Sequence, residues 1–476
     1  MIQRTEFTQK QGLVEITTIR LPERAKSQEV REALARENYR PEAVVAENKA
    51  ILDQLTETPF RHIGQKFVKG EPLTFSEAFL GMTYVVAATN RGIFQELQQK
   101  LQKAHGLVHV EQARLIGPAQ TFLTSMAQRE AHDALTAAEV AGMTAAAMMD
   151  INLRIRFSPY VLETGGMGGD KGFLMNGEKK KVINASTLSA IVLASLGIPV
   201  VKHGSYANTS AVGSTEATEA LGIDIYQDSF SQIQRLFEKT SFYFSDAHVA
   251  KTIHDLSHSP FMRHETVNHI IGPMTPPVDR KTRLNKVIGV NEGVHPVLIA
   301  QAYELLNAKG YQTVGNVVVV SGLDKDFTEE KVPEIEDIKK LRSHMMLDEI
   351  SPYKSLLAVV QNGRYRGCFT ICPEDFGVKI DQNQIQIVNT QEELLIANGE
   401  ALKGLSGANS DYLSLNAAIG LFAAEYLDRY DAIINNKLNR HYLRECFYRC
   451  KRAIISGRAS RHLETIIRVS KESNHE

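Results

Sequence analysis

A glycine-rich segment, ETGGMGGDKG from Glu163 to Gly172, has residue types that suit the binding of an anion. Its glycines at 165, 166, 168 and 169 allow positive φ angles and would bring backbone amides close to a bulky negative group. A flexible turn would use the same glycines. The segment alone therefore leaves both interpretations open.

The segment NASTLSAIVLASLG, further along the chain, favours the anion site. It begins with Asn184, Ser186 and Thr187 and then becomes apolar at helical spacing. Its free amides and hydroxyls would face an anion at the N-terminus of a helix. Because ordinary capping needs only one such residue, we predict that this helix start belongs to the same anion site.

Two more segments suggest a ligand with phosphates at both ends. IPVVKHG predicts a strand that places Lys202, His203 and Gly204 at its carboxyl end, where ligands bind in open α/β sheets. A lysine there would neutralise phosphate charge. The next segment predicts a second anion-binding turn before a helix, with Ser205, Thr209, Ser210, Gly213 and Ser214.

An acidic pair, Asp348 and Glu349, stands in the segment MLDEISP. A surface turn would accommodate two such carboxylates equally well. Beside a polyphosphate, however, they are the ligands by which proteins hold Mg²⁺ while the ion keeps several of its waters. The pair therefore predicts a magnesium site, provided that it lies near the glycine-rich segment.

Capping boxes and apolar periodicity predict the elements that must position these residues. The boxes Thr74 with Glu77 and Thr136 with Glu139 start helices in a mainly helical region from about residue 48 to 149, and Thr390 with Glu393 starts another helix. From about residue 160 short apolar runs alternate with helical patterns. Examples are KVIGV at 286–290, a helical stripe of Val294, Leu298, Ala302 and Leu305, and NVVVVSG from Asn316. Strand, helix, strand at this spacing predicts a parallel sheet with right-handed crossovers.

Composition excludes several classes of protein. The chain has 476 residues and a formal net charge of -1, so no whole-molecule field attracts nucleic acid or an anionic membrane. The polar N-terminus does not resemble a secretory signal, and the most apolar run is too short for a bilayer, so we expect a cytoplasmic protein. The basic stretch at 437–471 is typical of a solvated helix face.

The cysteines and histidines offer two possible metal sites. Cys368 with Cys372, and Cys446 with Cys450, lack the turn residues of a zinc knuckle, so we expect reduced, mostly buried thiols. Histidines crowd one region at positions 248, 254, 258, 264 and 269. His254 and His258 have metal-binding spacing but no carboxylate context, so we favour no metal there. The alternative is that these histidines line a pocket.

The order of the motifs resembles the anthranilate phosphoribosyltransferase family over about residues 50 to 465. The resemblance is carried by the glycine loop with Asp170, NxST at Asn184, KHG at Lys202, GS at Gly213, HIIGPMTPP around Gly272 and Pro273, and DE at Asp348. It implies an α/β fold with a small helical domain, a larger domain built on a mostly parallel central sheet, and a cleft between them. It also implies a homodimer. We accordingly predict an N-terminal extension at 1–45, a helical domain at 46–155 completed by about 206–240, and an α/β domain at 156–205 and 241–476.

By matching positions, the resemblance implies roles for residues of a phosphoribosyl pyrophosphate site. Gly168, Gly169 and Asp170 would wrap the diphosphate. The helix start at 184–187 would bind it, with one Mg²⁺ touching Ser186. Lys202 would contact the donor, and Asp348 with Glu349 would hold a second Mg²⁺. The donor site would be completed by Ser210, Gly213 and Ser214.

Departures from the family concentrate on the acceptor side. Ser205 and Tyr206 replace the family's asparagine and arginine after KHG, and Ser259 or His258 stands where the family has an arginine for the anthranilate carboxylate. The nearby arginine is Arg263. The predicted acceptor pocket comprises His203, Gly204, Ser205, His258, Ser259 and Arg263. The glycine loop also carries an eight-residue insertion, FLMNGEKK, before Lys181.

The resemblance predicts an enzyme that transfers 5-phosphoribosyl from phosphoribosyl pyrophosphate to an aromatic amine or nitrogen heterocycle and releases pyrophosphate, with Mg²⁺ as cofactor. One alternative is a nucleoside phosphorylase, which shares the fold class but uses inorganic phosphate. The acidic pair favours the transferase, because a single phosphate does not need it. The other alternative is a non-catalytic relative that binds nucleic acid through the basic C-terminal stretch, and the near-neutral net charge speaks against it.

Overall fold

A computed structural model gives the fold of the chain. The structure describes residues 21–38, 60–105, 111–150, 154–167, 172–175, 178–180, 182–206, 213–253, 256, 267–329, 331–335, 338–381, 384–385, 388, 390–405 and 407–472. Gly168, Gly169 and Asp170 lie outside these residues. The other predicted site residues that lie outside them are Thr209, Ser210, His258, Ser259 and Arg263.

Helices account for most of the described residues before position 150 and for most of the C-terminal region. In chain order they are α1 (Leu21–Asn38), α2 (Phe60–Lys69), α3 (Phe75–Thr89), α4 (Arg91–His105), α5 (Ile116–Ala131), α6 (Ala137–Ala147), α7 (Ala185–Ser195), α8 (Ser214–Ala220), α9 (Phe230–Thr240), α10 (Ala247–Ala250), α11 (Asn268–Met274), α12 (Pro296–Ala308), α13 (Ile338–Arg342), α14 (Gln391–Lys403), α15 (Gly407–Leu421), α16 (Arg440–Ile455) and α17 (Arg458–Ser470). The predicted helical region and C-terminal helices are therefore confirmed.

The strands are β1 (Tyr160–Gly166), β2 (Phe173–Met175), β3 (Glu178–Lys180), β4 (Val200–Gly204), β5 (Phe242–Asp246), β6 (Arg283–Gly289), β7 (Val314–Leu323), β8 (Met345–Leu347), β9 (Ser355–Gln361), β10 (Arg364–Ile371), β11 (Ile433–Ile434) and β12 (Lys437–Leu438). The main sheet has eight strands in the order β10-β9-β7-β6-β1-β4-β5, with β8 paired to β7. Strands β7, β6, β1, β4 and β5 run parallel, whereas β8, β9 and β10 are antiparallel to their neighbours. This confirms the predicted mostly parallel sheet.

The predicted capping boxes are present at three helix starts. Thr136 Oγ1 accepts a hydrogen bond from the Glu139 amide at 3.2 Å, and the Glu139 carboxylate accepts from the Thr136 amide at 2.8 Å. Thr74 with Glu77 starts α3 in the same way, and Thr390 with Glu393 starts α14. Each box satisfies amides that the first helical turn leaves without partners. The helix starts could therefore be located from the sequence alone.

The glycine-rich segment is a strand for part of its length. Gly165 and Gly166 end β1, where they pair with Ile288 and Gly289 of β6, and neither has a positive φ. The positive φ angles that glycine allows are therefore not used at these two positions, because ladder pairing with β6 keeps the backbone extended. Of the described glycines in this segment, Gly172 is the one with a positive φ, of 65°.

The core joins the sheet to helices from both ends of the chain. Helix α7 packs against β1, β4 and α15, and α12 packs against β7, β9 and α6. Cys446 and Cys450 are buried on α16, whereas Cys368 and Cys372 are partly exposed, and all four thiols are free. Two of the four thiols are therefore buried, as expected, and the other two are partly exposed.

The region of residues 213–240 lies beside the sheet. Helix α9 packs against β5 and the C-terminal helix α17, and α8 contacts β4 and α7. These contacts give no support to the expectation that 206–240 completes the helical domain, and the domain boundaries remain a prediction. Within the described residues, no helix has the length and apolar composition needed to cross a membrane.

Candidate functional site

Three neighbouring parallel strands end at one edge of the sheet, and all three end in glycine. Gly204 ends β4, Gly166 ends β1 and Gly289 ends β6. Ligands of open α/β sheets bind at this carboxyl edge. The side chains that approach it therefore define the candidate site.

Asp348 lies directly on this edge, immediately after β8. A methyl group on Gly166 would overlap the Asp348 carboxylate, and one on Gly289 would overlap the Asp348 backbone. The two glycines thus leave the space that Asp348 occupies, which is a steric role rather than a conformational one. The structure brings together the acidic pair and the glycine-rich segment, as the magnesium prediction required.

Helix α15 holds the rest of the acidic segment. The Tyr412 hydroxyl donates to Glu349 Oε1 at 2.8 Å, and the Asn416 side-chain oxygen accepts from the Ile350 amide at 2.8 Å. Tyr412 is fully buried, and burial raises the pKa of its hydroxyl well above the ordinary value. The hydroxyl therefore remains a donor, and it fixes the orientation of the Glu349 carboxylate.

Lys202 is a buried cation on β4 beside Asp348. Its Nζ donates to the Thr164 carbonyl oxygen at 3.1 Å, and only 1% of its surface is exposed. Burial lowers the pKa of Lys202 to about 8, although the Asp348 carboxylate acts in the opposite direction. A dianionic or trianionic ligand at this edge would favour the protonated form.

His203 belongs to a buried network that the sequence motifs did not include. Its Nδ1 lies 3.1 Å from Glu163 Oε1 and its Nε2 lies 3.1 Å from the Gly272 carbonyl oxygen. Glu163 also forms a fully buried ion pair with Lys286, its partner in the register of β1 and β6. Burial, followed by the nearby Lys251 ammonium, lowers the pKa of His203 well below its ordinary value.

The Lys251 side chain bonds to the Gly272 carbonyl group, which His203 also faces. Its Nζ donates to the Gly272 carbonyl oxygen at 2.8 Å and to Thr275 Oγ1 at 2.6 Å. Burial lowers its pKa to about 7, with Asp150 acting in the opposite direction. A lysine that opens an apolar strand, as Lys286 does in KVIGV, was the signal that could have revealed this network.

The start of α7 presents the predicted polar groups, but in a different arrangement. Asn184 does not cap its own helix; its backbone amide and side-chain oxygen both bond to the Asn398 side chain of α14, each at 2.8 Å. The Ser186 carbonyl oxygen accepts from Thr164 Oγ1 at 3.0 Å. Thr187 Oγ1 is buried and has no hydrogen-bond partner among the described residues, so it can still bind a ligand.

The described ends of the second predicted turn, Ser205 and Gly213 with Ser214, lie at the end of β4. A side chain at Gly204 would collide with Ser214 at the start of α8, and the Ser205 carbonyl oxygen accepts from the Thr215 amide at 3.3 Å. The Gly213 amide is already bonded to the Glu216 carboxylate at 2.7 Å. Gly213 therefore contributes to the helix start rather than offering a free amide.

Tyr206, which follows Ser205, shares a hydrogen bond with the hydroxyl of Tyr226. Burial raises the pKa of Tyr226 to about 12 and also raises that of Tyr206. Both hydroxyls therefore stay protonated at neutral pH. Sequence reasoning identified Tyr206 as a departure from the family but did not identify Tyr226 as its partner.

The eight-residue insertion forms the hairpin of β2 and β3. Just before it, the Gly172 amide donates to the Met346 carbonyl oxygen of β8 at 3.0 Å. The end of the glycine-rich segment is thereby tied to the strand that leads into Asp348. The two parts of the site are linked through the backbone as well as through Gly166.

These residue types fit a magnesium-bound diphosphate. Among the described residues no three His, Cys, Asp or Glu side chains converge on one point, so a protein-only metal cage is not formed there. Mg²⁺ is usually bound through one or two carboxylates together with substrate phosphates. Asp348, against Gly166, supplies a carboxylate of that kind, whereas the partnerless Thr187 hydroxyl and the Lys202 ammonium suit the phosphate oxygens.

The other candidate regions are occupied by ordinary structural contacts. His269 pairs with Glu130 at 2.8 Å, and His254, His258 and His264 lie outside the described residues. The basic C-terminal stretch forms ion pairs with acidic neighbours: Arg440 with Asp375, Arg449 with Glu425, Lys451 with Asp411 and Arg468 with Glu472. These pairs agree with a solvated helix face.

Known proteins resemble the chain in sequence. The model of the family described as "Glycosyl transferase family, a/b domain" matches residues 175–347. The chain is 30% identical over 297 residues to an anthranilate phosphoribosyltransferase of Pyrococcus abyssi, covering 61% of this chain and 76% of that protein. It is 29% identical over 327 residues to the one of Alkalilimnicola ehrlichii, covering 66% and 85%, respectively.

Solved structures show the same fold. Anthranilate phosphoribosyltransferase from Thermus thermophilus has a TM-score of 0.59 at 22% identity and covers 86% of this chain and 99% of its own. The enzyme from Saccharomyces cerevisiae in complex with PRPP and Mg has a TM-score of 0.60 at 20% identity, covering 87% and 99%. These likenesses confirm the predicted α/β fold class.

Proposed function

Because the chain belongs to the anthranilate phosphoribosyltransferase family, whose members are pentosyltransferases, we propose that it is a magnesium-dependent phosphoribosyltransferase. Its donor is phosphoribosyl pyrophosphate, and its acceptor is an aromatic amine or a nitrogen heterocycle. The acceptor nitrogen bonds to the anomeric carbon as the bond from that carbon to pyrophosphate breaks, and the proton that the nitrogen loses passes to solvent. The observation that carries this proposal is the placement of Asp348 against Gly166 beside Lys202.

The donor occupies the carboxyl edge of β1, β4 and β6. Asp348 and Glu349 would hold one Mg²⁺, and a second would contact Ser186. When bound, Mg²⁺ neutralises charge that develops on the departing pyrophosphate oxygens. Lys202 adds a positive charge from β4, and the Thr187 hydroxyl donates to a phosphate oxygen at the start of α7.

Gly168, Gly169 and Asp170 continue the diphosphate site, and Ser210 and Ser214 bind the other end of the donor. Glu163 and Lys286 hold His203 in place beneath the acceptor side. None of these residues has to act as a general base, because the acceptor nitrogen carries its own lone pair and pyrophosphate is a good leaving group.

The acceptor side differs from the family pattern, so anthranilate is one candidate among several. Ser205 replaces an asparagine that the family uses near the aromatic acceptor. Ser259 or His258, with Arg263 nearby, stands where the family has an arginine for the anthranilate carboxylate. A carboxylate without a cationic partner would be costly to enclose. An acceptor without a carboxylate, such as an uncharged aromatic amine or heterocycle, needs no such partner, whereas anthranilate needs one such as Arg263.

The alternatives are less well supported. A nucleoside phosphorylase would have no use for an acidic pair aligned with the glycine-rich strand, since a single phosphate needs no such metal site. A nucleic-acid-binding role would draw on the C-terminal arginines, several of which are paired with carboxylates. We also propose a homodimer, which sedimentation equilibrium can test.

Titration calorimetry with phosphoribosyl pyrophosphate, with and without Mg²⁺, tests the donor half. We expect magnesium-dependent binding by the wild type and its loss in the double variant Asp348→Asn, Glu349→Gln. A matched control is Asp326→Asn with Glu329→Gln, which removes the same charges from exposed residues of the preceding segment. Absent or magnesium-independent donor binding would overturn the proposal. A screen of aromatic amines and heterocycles for pyrophosphate release then identifies the acceptor.

A further inference from the structure

Helix α1, from the segment predicted to be an N-terminal extension, packs at the carboxyl end of the edge strand β5. Val30 and Leu34 are buried, and α1 contacts α10, which follows β5 directly. This is the same edge of the sheet at which β4 delivers His203 and Gly204. A helix from outside the region of family resemblance therefore reaches the neighbourhood of the acceptor side.

Ser27 on α1 bonds to a carboxylate next to the site. Its hydroxyl donates to Asp246 Oδ2 at 2.7 Å, and both residues are 1% exposed. Asp246 is the last residue of β5 and pairs in register with Gly204. Asp246 Oδ1 accepts from Thr215 of α8 at 3.2 Å, so a single carboxylate joins α1 to the turn after β4.

Arg31 forms a second connection, to the end of α10. Its Nη1 donates to the His248 carbonyl oxygen at 3.2 Å and to the Lys251 carbonyl oxygen at 3.5 Å. The Lys251 side chain in turn bonds to the Gly272 carbonyl oxygen, which also faces His203 Nε2. Through Arg31, helix α1 therefore bonds to the carbonyl groups at the end of α10. The Lys251 side chain extends from this point to the acceptor side.

Lys26 forms a third connection, to Tyr206. Its ammonium lies 4.1 Å from the centroid of the Tyr226 ring, and the Tyr226 hydroxyl bonds to that of Tyr206. Cation–π contact of this kind restrains an aromatic ring. Tyr206 occupies the position of the family's arginine, so the residue that departs from the family pattern is held indirectly by the extension.

We propose that α1 is the outer wall of the acceptor pocket predicted around His203, Gly204 and Ser205, and that Lys26 and Ser27 position Tyr206 and Asp246 so that an aromatic acceptor enters and water is excluded. The inference rests on the proposed function. Lys26 and Ser27 are positioning residues, since they act through Tyr226 and Asp246. Opening this wall admits water, whose oxygen bonds to the anomeric carbon as the bond to pyrophosphate breaks, while its proton passes to solvent.

The test is the rate of pyrophosphate release from phosphoribosyl pyrophosphate and Mg²⁺ with no acceptor present. We expect the double variant Lys26→Ala, Ser27→Ala to raise this rate about fivefold, the effect of losing one hydrogen bond, with the donor KM unchanged. The control is Gln28→Ala with Glu29→Ala, which alters exposed residues of the same helix and should leave the rate unchanged. Ser27→Thr keeps the hydroxyl and should remain close to the wild type.

A second measurement does not depend on catalysis. The sequence has no tryptophan, so Tyr206→Trp introduces a single tryptophan, excited selectively over the tyrosines, at the predicted acceptor end. Because this substitution also removes the hydroxyl bonded to Tyr226, the probe reports mainly the connection through Ser27 and Asp246. We expect acrylamide to quench it more strongly when Lys26→Ala and Ser27→Ala are added, and not when the control pair is added. Unchanged hydrolysis and quenching, or a lower melting temperature alone, would show that α1 has only a structural role. Failure of the wild type to bind the donor would instead overturn the proposed function and this inference with it.

Discussion

The carboxylate of Asp348 lies against the Cα of Gly166, across the junction between the glycine-rich strand and the segment after β8. A glycine-rich loop suggests that the backbone uses the conformational freedom of glycine, but Gly166 has no positive φ and is extended. Gly166 is required because a side chain at this position would occupy the space of the Asp348 carboxylate. The position of the metal-binding carboxylate is therefore determined by the absence of a side chain on a neighbouring strand.

Gly166→Ala should displace Asp348 and weaken magnesium-dependent donor turnover by about 100-fold, the usual effect of misplacing a reacting group by about 1 Å. Steady-state kinetics at several Mg²⁺ concentrations measure this. Gly399→Ala is the control, because a methyl group there meets no atom within 4 Å. Wild-type kinetics in Gly166→Ala would mean that Asp348 does not hold the metal from this position.

Tyr412→Phe removes the hydroxyl that orients Glu349. We expect the apparent Mg²⁺ affinity for donor binding to fall about fivefold, as for the loss of one hydrogen bond, with little change in fold. Calorimetry of donor binding across a Mg²⁺ series gives the value. Tyr303→Phe is a close control, since the Tyr303 hydroxyl is also buried but has no partner among the described residues. Equal effects of the two substitutions would contradict a specific role of Tyr412.

Donor affinity should decrease as the pH rises through about 8. The pKa of Lys202 is lowered to about 8 by burial, and only its protonated form attracts phosphate, so affinity is highest below that pH. Because bound phosphate favours the ammonium, donor binding at pH 8.5 should take up protons. Calorimetry in two buffers with different heats of ionisation detects this uptake, and Lys202→Met should lack it. Binding by the wild type without proton uptake would be inconsistent with Lys202 at the donor.

Asn398→Ala should loosen the start of α7. The Asn398 side chain bonds to both the amide and the side-chain oxygen of Asn184, so its removal leaves a partly buried amide unsatisfied. We expect donor affinity to fall about fivefold. Glu392→Ala, at an exposed position on the same helix, should have no effect. The comparison is made by titration with the donor. Unaltered donor affinity in Asn398→Ala would show that Asn184 is not part of the donor site.

The sequence predicted those features of the fold and the site that depend on local patterns of residues. Capping boxes located the starts of α3, α6 and α14, and the spacing of apolar runs predicted β4, β6 and β7 in a parallel sheet. Motif order predicted that Lys202, Thr187 and Asp348 belong to one site. These features are encoded within a few residues of one another, or within a known order of motifs.

Contacts between distant segments could not be predicted. The pairing of Asn184 with Asn398 joins residues 214 positions apart, and that of Ser27 with Asp246 joins residues 219 apart. The extended conformation of Gly165 and Gly166 results from pairing with β6, which overrides the local freedom of glycine. The ion pair of Glu163 with Lys286 likewise depends on strand register. Each of these is a consequence of tertiary packing.

Lys251→Met should change how stability depends on pH. In the folded protein burial lowers the pKa of Lys251 to about 7, whereas the ordinary value for a lysine is 10.5. Between these two pH values the unfolded chain binds more protons, so this group makes the free energy of unfolding rise with pH, by up to about 1.4 kcal/mol per pH unit. Below pH 7 both states are protonated and this slope disappears.

Urea unfolding at pH 7.5, 8.5 and 9.5 measures the difference between wild type and variant. The wild type should gain stability with pH more steeply than Lys251→Met, whatever the absolute loss caused by removing the bonds to Gly272 and Thr275. Lys325→Met, which alters an exposed lysine, should show the wild-type slope. Parallel slopes for the wild type and Lys251→Met would mean that Lys251 titrates near its ordinary pKa, and that its ammonium persists beneath the acceptor side at alkaline pH.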